Sequence, residues 1–349
     1  MKAIYQYFGP QGFGNYEVDW EHLEFTRINR PAKKILIPGF IDIHIHGGFG
    51  VDFMTSPAEE IIHLCGRLAR CGYEGLLPTT VTATPQDINR FLAKLPVHEM
   101  ILGFHLEGPF ISSQFPGAQP PKGIADVPDS ASDWDAVLND PRLRIVTLAP
   151  EIPHALTLIS RLMKRNVIVS MGHTNATFDE ARNGFEFGAH HTTHMFNAMR
   201  PLHHREAGMV GYALSNDGLT CELIYDRKHV CREAAALLLK CKPPQSIVAI
   251  SDGTMASGMP AGSRLNMWGL ECIVGNQEVR LASGTLAGSG ITLLEAFQNI
   301  SSDFGLETAI RLCCQNPRAA LGMQTPPKVL LEMDSSFNIL ERHHVSLLS

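Results

Sequence analysis

Between residues 35 and 253, apolar runs alternate with amphipathic segments. In order the runs read ILIPGFIDIHIH, GLLPTTVTA, MILGFHLEGP, LRIVTLAPE, VIVSMGH, AHHTTHMFNA, LTCELIYD and SIVAISDG. Helix-like stretches lie between them at 57–71, 85–95, 153–165, 178–187 and 230–239. Two of these open on a start signal, Thr84 before Pro85 and Thr177 before Phe178, where a hydroxyl can cap the first turn. Strand–helix alternation of this kind argues for parallel strands joined by crossover helices. Eight such units predict an α/β chain built on a (β/α)8 TIM-like barrel rather than an open sheet.

The pattern changes after the eighth run. RLNMWGLECIVGNQEVRLASG (264–284) predicts a β-ribbon turning at Gly275-Asn276, and 288–304 and 306–314 predict helices. The end, KVLLEMDSSFNILERHHV, predicts two short strands about a Ser-containing turn. With the strand-like MKAIYQYF, YEVDWEHLEFTRI and KKIL near the start, these make a small β domain from both termini. The division is then 1–37 and 318–349 for that domain and 38–317 for the barrel.

Composition narrows the functional classes. With 349 residues, 44% hydrophobic and 18% charged, the chain can bury a large core and is not disordered. Net charge is −6 and no basic run occurs, which argues against nucleic acid or an anionic membrane as the main partner. No stretch reaches the roughly 20 apolar residues of a membrane span. The first twenty residues lack a long apolar core, so a cytoplasmic protein is expected. The eight cysteines (65, 71, 221, 231, 241, 272, 313 and 314) form no C-x-x-C and are expected as free, mostly buried thiols in a reducing compartment.

Polar residues fall where a barrel does its chemistry, at the C-terminal ends of its strands. His44 and His46 end the first run, and alternate residues of a strand share a face, roughly 6–7 Å apart at Cα. Glu107 ends the third, with His105 two residues before it. The fifth ends on His173, the sixth carries His190, His191 and His194, and the eighth ends on Asp252. Taken singly, each has an ordinary explanation: a turn carboxylate, a satisfied core histidine, a residue starting a loop. Together, five strand ends in register offer histidine nitrogens and carboxylates, a donor set suited to zinc or another first-row divalent metal.

The stretches PGFIDIHIHG, HLEGPF, TLAPE, GHTNATFDEA, THMFNAM, REAG, SDGT and LAGS occur in one order from Pro38 to Gly290. In them the chain resembles the amidohydrolase superfamily and, within it, the N-acetylglucosamine-6-phosphate deacetylases. The resemblance implies metal ligation by Glu107, His173 and His194, with His44 and His46 adding a second position, hence one or two divalent ions: zinc first, iron or manganese otherwise. It implies Asp252 as the general base and acid of amide hydrolysis. Gln119 stands where some relatives carry a histidine that contacts the substrate. Asn197, Ala198, Arg205 and His229 are implied at the phosphate, Arg205 and His229 across a homodimer interface, and Leu286 and Ser289 along the sugar. The substrate implied is a small amino-sugar phosphate. The galactosamine epimer, another metal-dependent amidohydrolase reaction and a non-catalytic metabolite-binding barrel are the rival readings.

Overall fold

The structure, a computed structural model, describes residues 2–9 and 11–345. Its first apolar run divides at Gly39. Lys34–Pro38 pairs antiparallel with Val329–Met333, whereas Phe40–Ile45 pairs in parallel with Tyr73–Pro78. Consecutive amides mark the switch: Gly39 N donates to Val329 O at 2.9 Å, and Phe40 N to Gly72 O at 3.0 Å. A Cβ at position 39 would lie 2.6 Å from the Glu74 Cβ, so glycine is required where the two sheets approach. The sequence pattern showed one run; the hydrogen bonding makes it two strands.

Eight parallel strands follow the expected order. Phe40–Ile45 and Tyr73–Pro78, the first and second, form one pair. The third to eighth are Phe104–Glu107, Leu143–Leu148, Ile168–Met171, His191–Thr192, Thr220–Ile224 and Ile247–Ile250, each beside its sequence neighbour in one sheet. Isolated parallel bridges, Thr79 with His105 and Ile45 with Gly253, lie between the edges of the two sheets.

Helices fill the crossovers: Ala58–Arg70, Pro85–Lys94, Ala155–Met163, Phe178–Glu186 and Arg232–Cys241. Thr84 accepts the Asp87 amide, and Thr177 forms a reciprocal capping box with Glu180. A further helix, Gly208–Ser215, sits between the sixth and seventh strands, and its near-uniform burial hides the amphipathic period that would betray it.

The segment after the eighth strand departs from expectation. The ribbon has four antiparallel strands, Arg264–Met267, Leu270–Val274, Glu278–Leu281 and Leu286–Ser289, so it turns at Trp268-Gly269 as well as after Val274. Gly288 and Ser289 therefore belong to a strand, and the expected helix begins only at Leu293, capped by Thr292 and Glu295. The next helix, Leu306–Ile310, passes through a π-helical turn at Arg311–Gln315 before Asn316–Ala320.

Both termini meet in a six-stranded sheet of order Ile339–His344, Val329–Met333, Lys34–Pro38, Lys2–Gly9, Gly12–Asp19 and Glu24–Arg27. Met1, Pro10 and residues 346–349, which the expected terminal domain includes, lie outside the described residues. All eight cysteines are unpaired; Cys231 and Cys241 are exposed rather than buried. No helix among the described residues is long and apolar enough to cross a membrane.

One buried ion pair ties the barrel to this terminal region. Arg318 Nη1 meets Glu74 Oε1 at 2.7 Å, and the same oxygen accepts the Lys328 amide at 3.1 Å. Replacing Arg318 with alanine would strand the carboxylate in an apolar setting, which costs about 3–5 kcal/mol. A lowered urea midpoint should report it; an unchanged midpoint would mean the pair contributes nothing.

Candidate metal centre and active site

Four imidazoles and two carboxylates converge at the C-terminal strand ends. Glu107 Oε1 lies 3.1 Å from both His173 Nε2 and His194 Nε2, and 3.4 Å from His44 Nε2. Its Oε2 lies 3.4 Å from His46 Nε2. Asp252 Oδ1 is 3.2 Å from His46 Nε2 and 3.5 Å from His44 Nε2. The donors fall into two adjoining clusters, Glu107–His173–His194 and His44–His46–Asp252, each with atoms within 4.8 Å of one another. All six residues are buried.

The outer ring nitrogens settle which way the inner ones face. His46 Nδ1 donates to Thr79 O at 3.1 Å, His173 Nδ1 to Phe115 O at 3.2 Å, and His44 Nδ1 to Glu222 Oε2 at 3.0 Å. Carbonyl and carboxylate oxygens accept only, so each Nδ1 carries a proton and Nε2 is the nitrogen each ring turns inward. His173 and His194 oppose their Nε2 atoms at 3.0 Å, and His44 Nε2 and His194 Nδ1 are buried without a hydrogen-bond partner. Lone pairs and carboxylates crowded in this way fit divalent ions, whose positive charge satisfies all of them at once.

Electrostatics favour the same occupant. Burial works to raise the Glu107 carboxyl, but His44, His173 and His194 outweigh it and hold it well below the usual range. Asp252 is likewise pushed up by burial and pulled below its ordinary value by His46 and His44. Burial resists a charge on His44, yet Glu107 and Glu222 raise its pKa well above the ordinary value. The pocket holds its carboxylates ionised and calls for positive charge.

Backbone strain concentrates here too. His173, His194 and Asp252 have φ of 47°, 27° and 47°, in the left-handed region that residues with a Cβ seldom adopt. Asp252 is held there by two main-chain bonds, its N to His44 O at 3.0 Å and its O from Ser289 N at 2.8 Å. Gly288 lets the ribbon pass this close, since a Cβ there would lie 2.5 Å from Thr254 Cγ2.

A cavity of about 210 Å³ opens over these groups. Gln119, Asn197, Ala198, His229 and Leu286 line it, as do Trp268 and Thr285, which the sequence did not single out. Trp268 packs edge-on to His46 at 5.5 Å between ring centroids and donates Nε1 to Asp52 at 3.0 Å. His229 is oriented by Asp226, whose Oδ2 lies 2.6 Å from Nδ1. Gln119 is fixed at both ends: Oε1 accepts the Thr82 amide at 2.7 Å and Nε2 donates to Glu107 Oε2 at 2.6 Å. Asn197 spends its Nδ2 inside its own turn, on His194 O and Met195 O.

Two expected substrate contacts are placed elsewhere. Ser289 is fully buried behind Asp252 and donates its hydroxyl to Ser251 O, so it supports the loop instead of lining the sugar pocket. Arg205 is exposed on the 203–207 loop beside His204 and is not part of the cavity wall of its own chain. His105 is no ligand either. Its nitrogens are used by Ile43 O and Thr147 Oγ1, and burial with the nearby His44 lowers its pKa to about 3, so it stays neutral. Glu222 is the residue that sequence reading missed, although a carboxylate inside the apolar LTCELIYD run was a signal. Burial would raise it, but His44, His191 and His105 hold it at about 2.

Parallel strands carrying inward-facing histidines and a carboxylate at their C-terminal ends define a metal-dependent hydrolase class. The amidohydrolase family profile matches residues 35–325, and the chain belongs to that family. It is 34% identical over 325 residues to an N-acetylglucosamine-6-phosphate deacetylase of Lysinibacillus sphaericus, covering 89% of this chain and 83% of the relative. It is 37% identical over 299 residues to an N-acetylgalactosamine-6-phosphate deacetylase of Escherichia coli O157:H7, covering 83% and 79%. Among solved structures, a mutant N-acetyl-D-glucosamine-6-phosphate deacetylase of Mycobacterium smegmatis, in complex with N-acetyl-D-glucosamine-6-phosphate, superposes with a TM-score of 0.87 at 28% identity, covering 98% of each chain.

Proposed function

We propose that the chain hydrolyses the acetamide of N-acetylglucosamine 6-phosphate, releasing acetate and glucosamine 6-phosphate. The observation that carries this reading is Asp252 beside His44, His46 and the Glu107–His173–His194 cluster, on the wall of one sugar-sized cavity. A divalent ion held by Glu107, His173 and His194, and a second by His44 and His46, would supply water acidified toward neutrality and an electrophile for the acetyl oxygen. Zinc suits this donor set first, iron or manganese otherwise. Asp252 accepts the proton of the attacking water at its carboxylate and returns it to the departing nitrogen. Gln119 keeps one Nε2 hydrogen on Glu107 and, lining the cavity, would offer the other to the acetyl oxygen, where negative charge develops. A non-catalytic barrel would have no use for such a proton shuttle.

The scaffold we infer is a closed eight-stranded barrel, with 1–37 and 318–349 as an accessory β domain and 38–317 as the catalytic body. We also infer a cytoplasmic homodimer. Arg205 is exposed and does not line its own chain's cavity, and it suits a phosphate in a partner's, where its planar fork presents paired donors. Arg205→Ala should then raise KM for the phosphorylated sugar about tenfold or more, with kcat little changed. An unchanged KM would place the phosphate elsewhere. The galactosamine epimer stays as a second reading because the E. coli relative named for it is 37% identical. Acetate release from the two epimers side by side separates them.

A further inference from the structure

Glu222 lies inside the strand Thr220–Ile224, fully buried, yet it is not among the residues expected to touch metal or substrate. Its Oε2 accepts two hydrogen bonds, from His44 Nδ1 at 3.0 Å and from the His194 backbone N–H at 3.1 Å. Its own carbonyl accepts the Met195 amide at 2.8 Å. Its Oε1 faces His191 Nε2 at 3.6 Å, and neither atom has a hydrogen-bond partner. His44 and His194 belong to different donor clusters. One carboxylate therefore holds a donor of each.

We propose that Glu222 is the positioning residue for the second ion position. The inference rests on the metal-dependent reading above. A carboxylate on Nδ1 fixes the tautomer and plane of the His44 ring and makes its Nε2 a stronger donor. The bond to the His194 amide braces a turn whose φ of 27° has little intrinsic preference. A carboxylate buried in a strand is costly unless its partners compensate it, and here the compensation runs through His44. The His44–His46 position thus depends on the Glu222 charge, whereas Glu107–His173–His194 depends on it only through the backbone.

Glu222→Gln tests this, since the amide oxygen can still accept a hydrogen bond but the charge is gone. Metal-stripped wild-type and variant are titrated with Co²⁺, followed by calorimetry and visible absorption, with thermal unfolding of the metal-free proteins as the folding control. The expected result is one ion weakened about 10–100-fold and the other bound almost as before. Two unchanged affinities would overturn the proposal, as would an equal weakening of both ions in a variant that keeps its thermal transition. If the glutamine variant does not fold, Glu222→Asp, which keeps the charge but withdraws it from His44 Nδ1 by one methylene, is read by the same criterion. A wild-type chain that binds fewer than two ions fails earlier, at the two-ion reading, and removes this inference with it.

Discussion

Asp252→Asn is expected to lower kcat by at least about a thousandfold while leaving metal content and fold intact, the upper part of the range for a lost general base. Asparagine has nearly the shape of aspartate and keeps an oxygen facing His46, so geometry around the histidines survives. What it loses is basicity. Asp252 is held ionised by His46 and His44 despite burial, which suits a group that must take a proton at neutral pH and then give it up. Steady-state acetate release with elemental analysis of the same preparation checks it. Activity above a tenth of wild-type would remove Asp252 from proton transfer.

Glu107→Gln should be as damaging by a different route, because Glu107 faces all four imidazoles. Its charge is the principal compensation for cations in the pocket, and an amide there cannot serve two positions. Metal content is expected to fall with activity, and turnover to drop by about three orders of magnitude or more, since acidification of water depends on the bound ion. Excess metal should rescue little. A variant with full metal content and no activity would instead assign Glu107 a direct chemical step and contradict the ligand role.

The candidate site was legible because its histidines and carboxylates are polar residues at the ends of apolar runs, where packing alone gives them no reason to be. His44, His46, Glu107, His173, His194 and Asp252 all stand out in this way, and the structure brings them together. Residues acting through contacts distant in sequence were not legible. Gln119 meets Glu107 through a loop, Trp268 reaches His46 from a ribbon hairpin, and Ser289 looked like a pocket residue until its hydroxyl was found on Ser251. The division at Gly39 was hidden because both strands it joins are apolar, and only hydrogen-bond partners distinguish them. Glu222 could have been noticed: a charged residue within a buried parallel strand demands a partner.

The most direct test of the account is acetate release from N-acetylglucosamine 6-phosphate and from its galactosamine epimer, by protein stripped of metal and reconstituted with zinc, iron or manganese. The account predicts no turnover by the stripped protein, restoration by a divalent ion, and a clear preference for the glucosamine substrate. Preference for the epimer would keep the chemistry and change the sugar. Turnover that survives complete removal of metal, or none on either sugar with both ions bound, would contradict it.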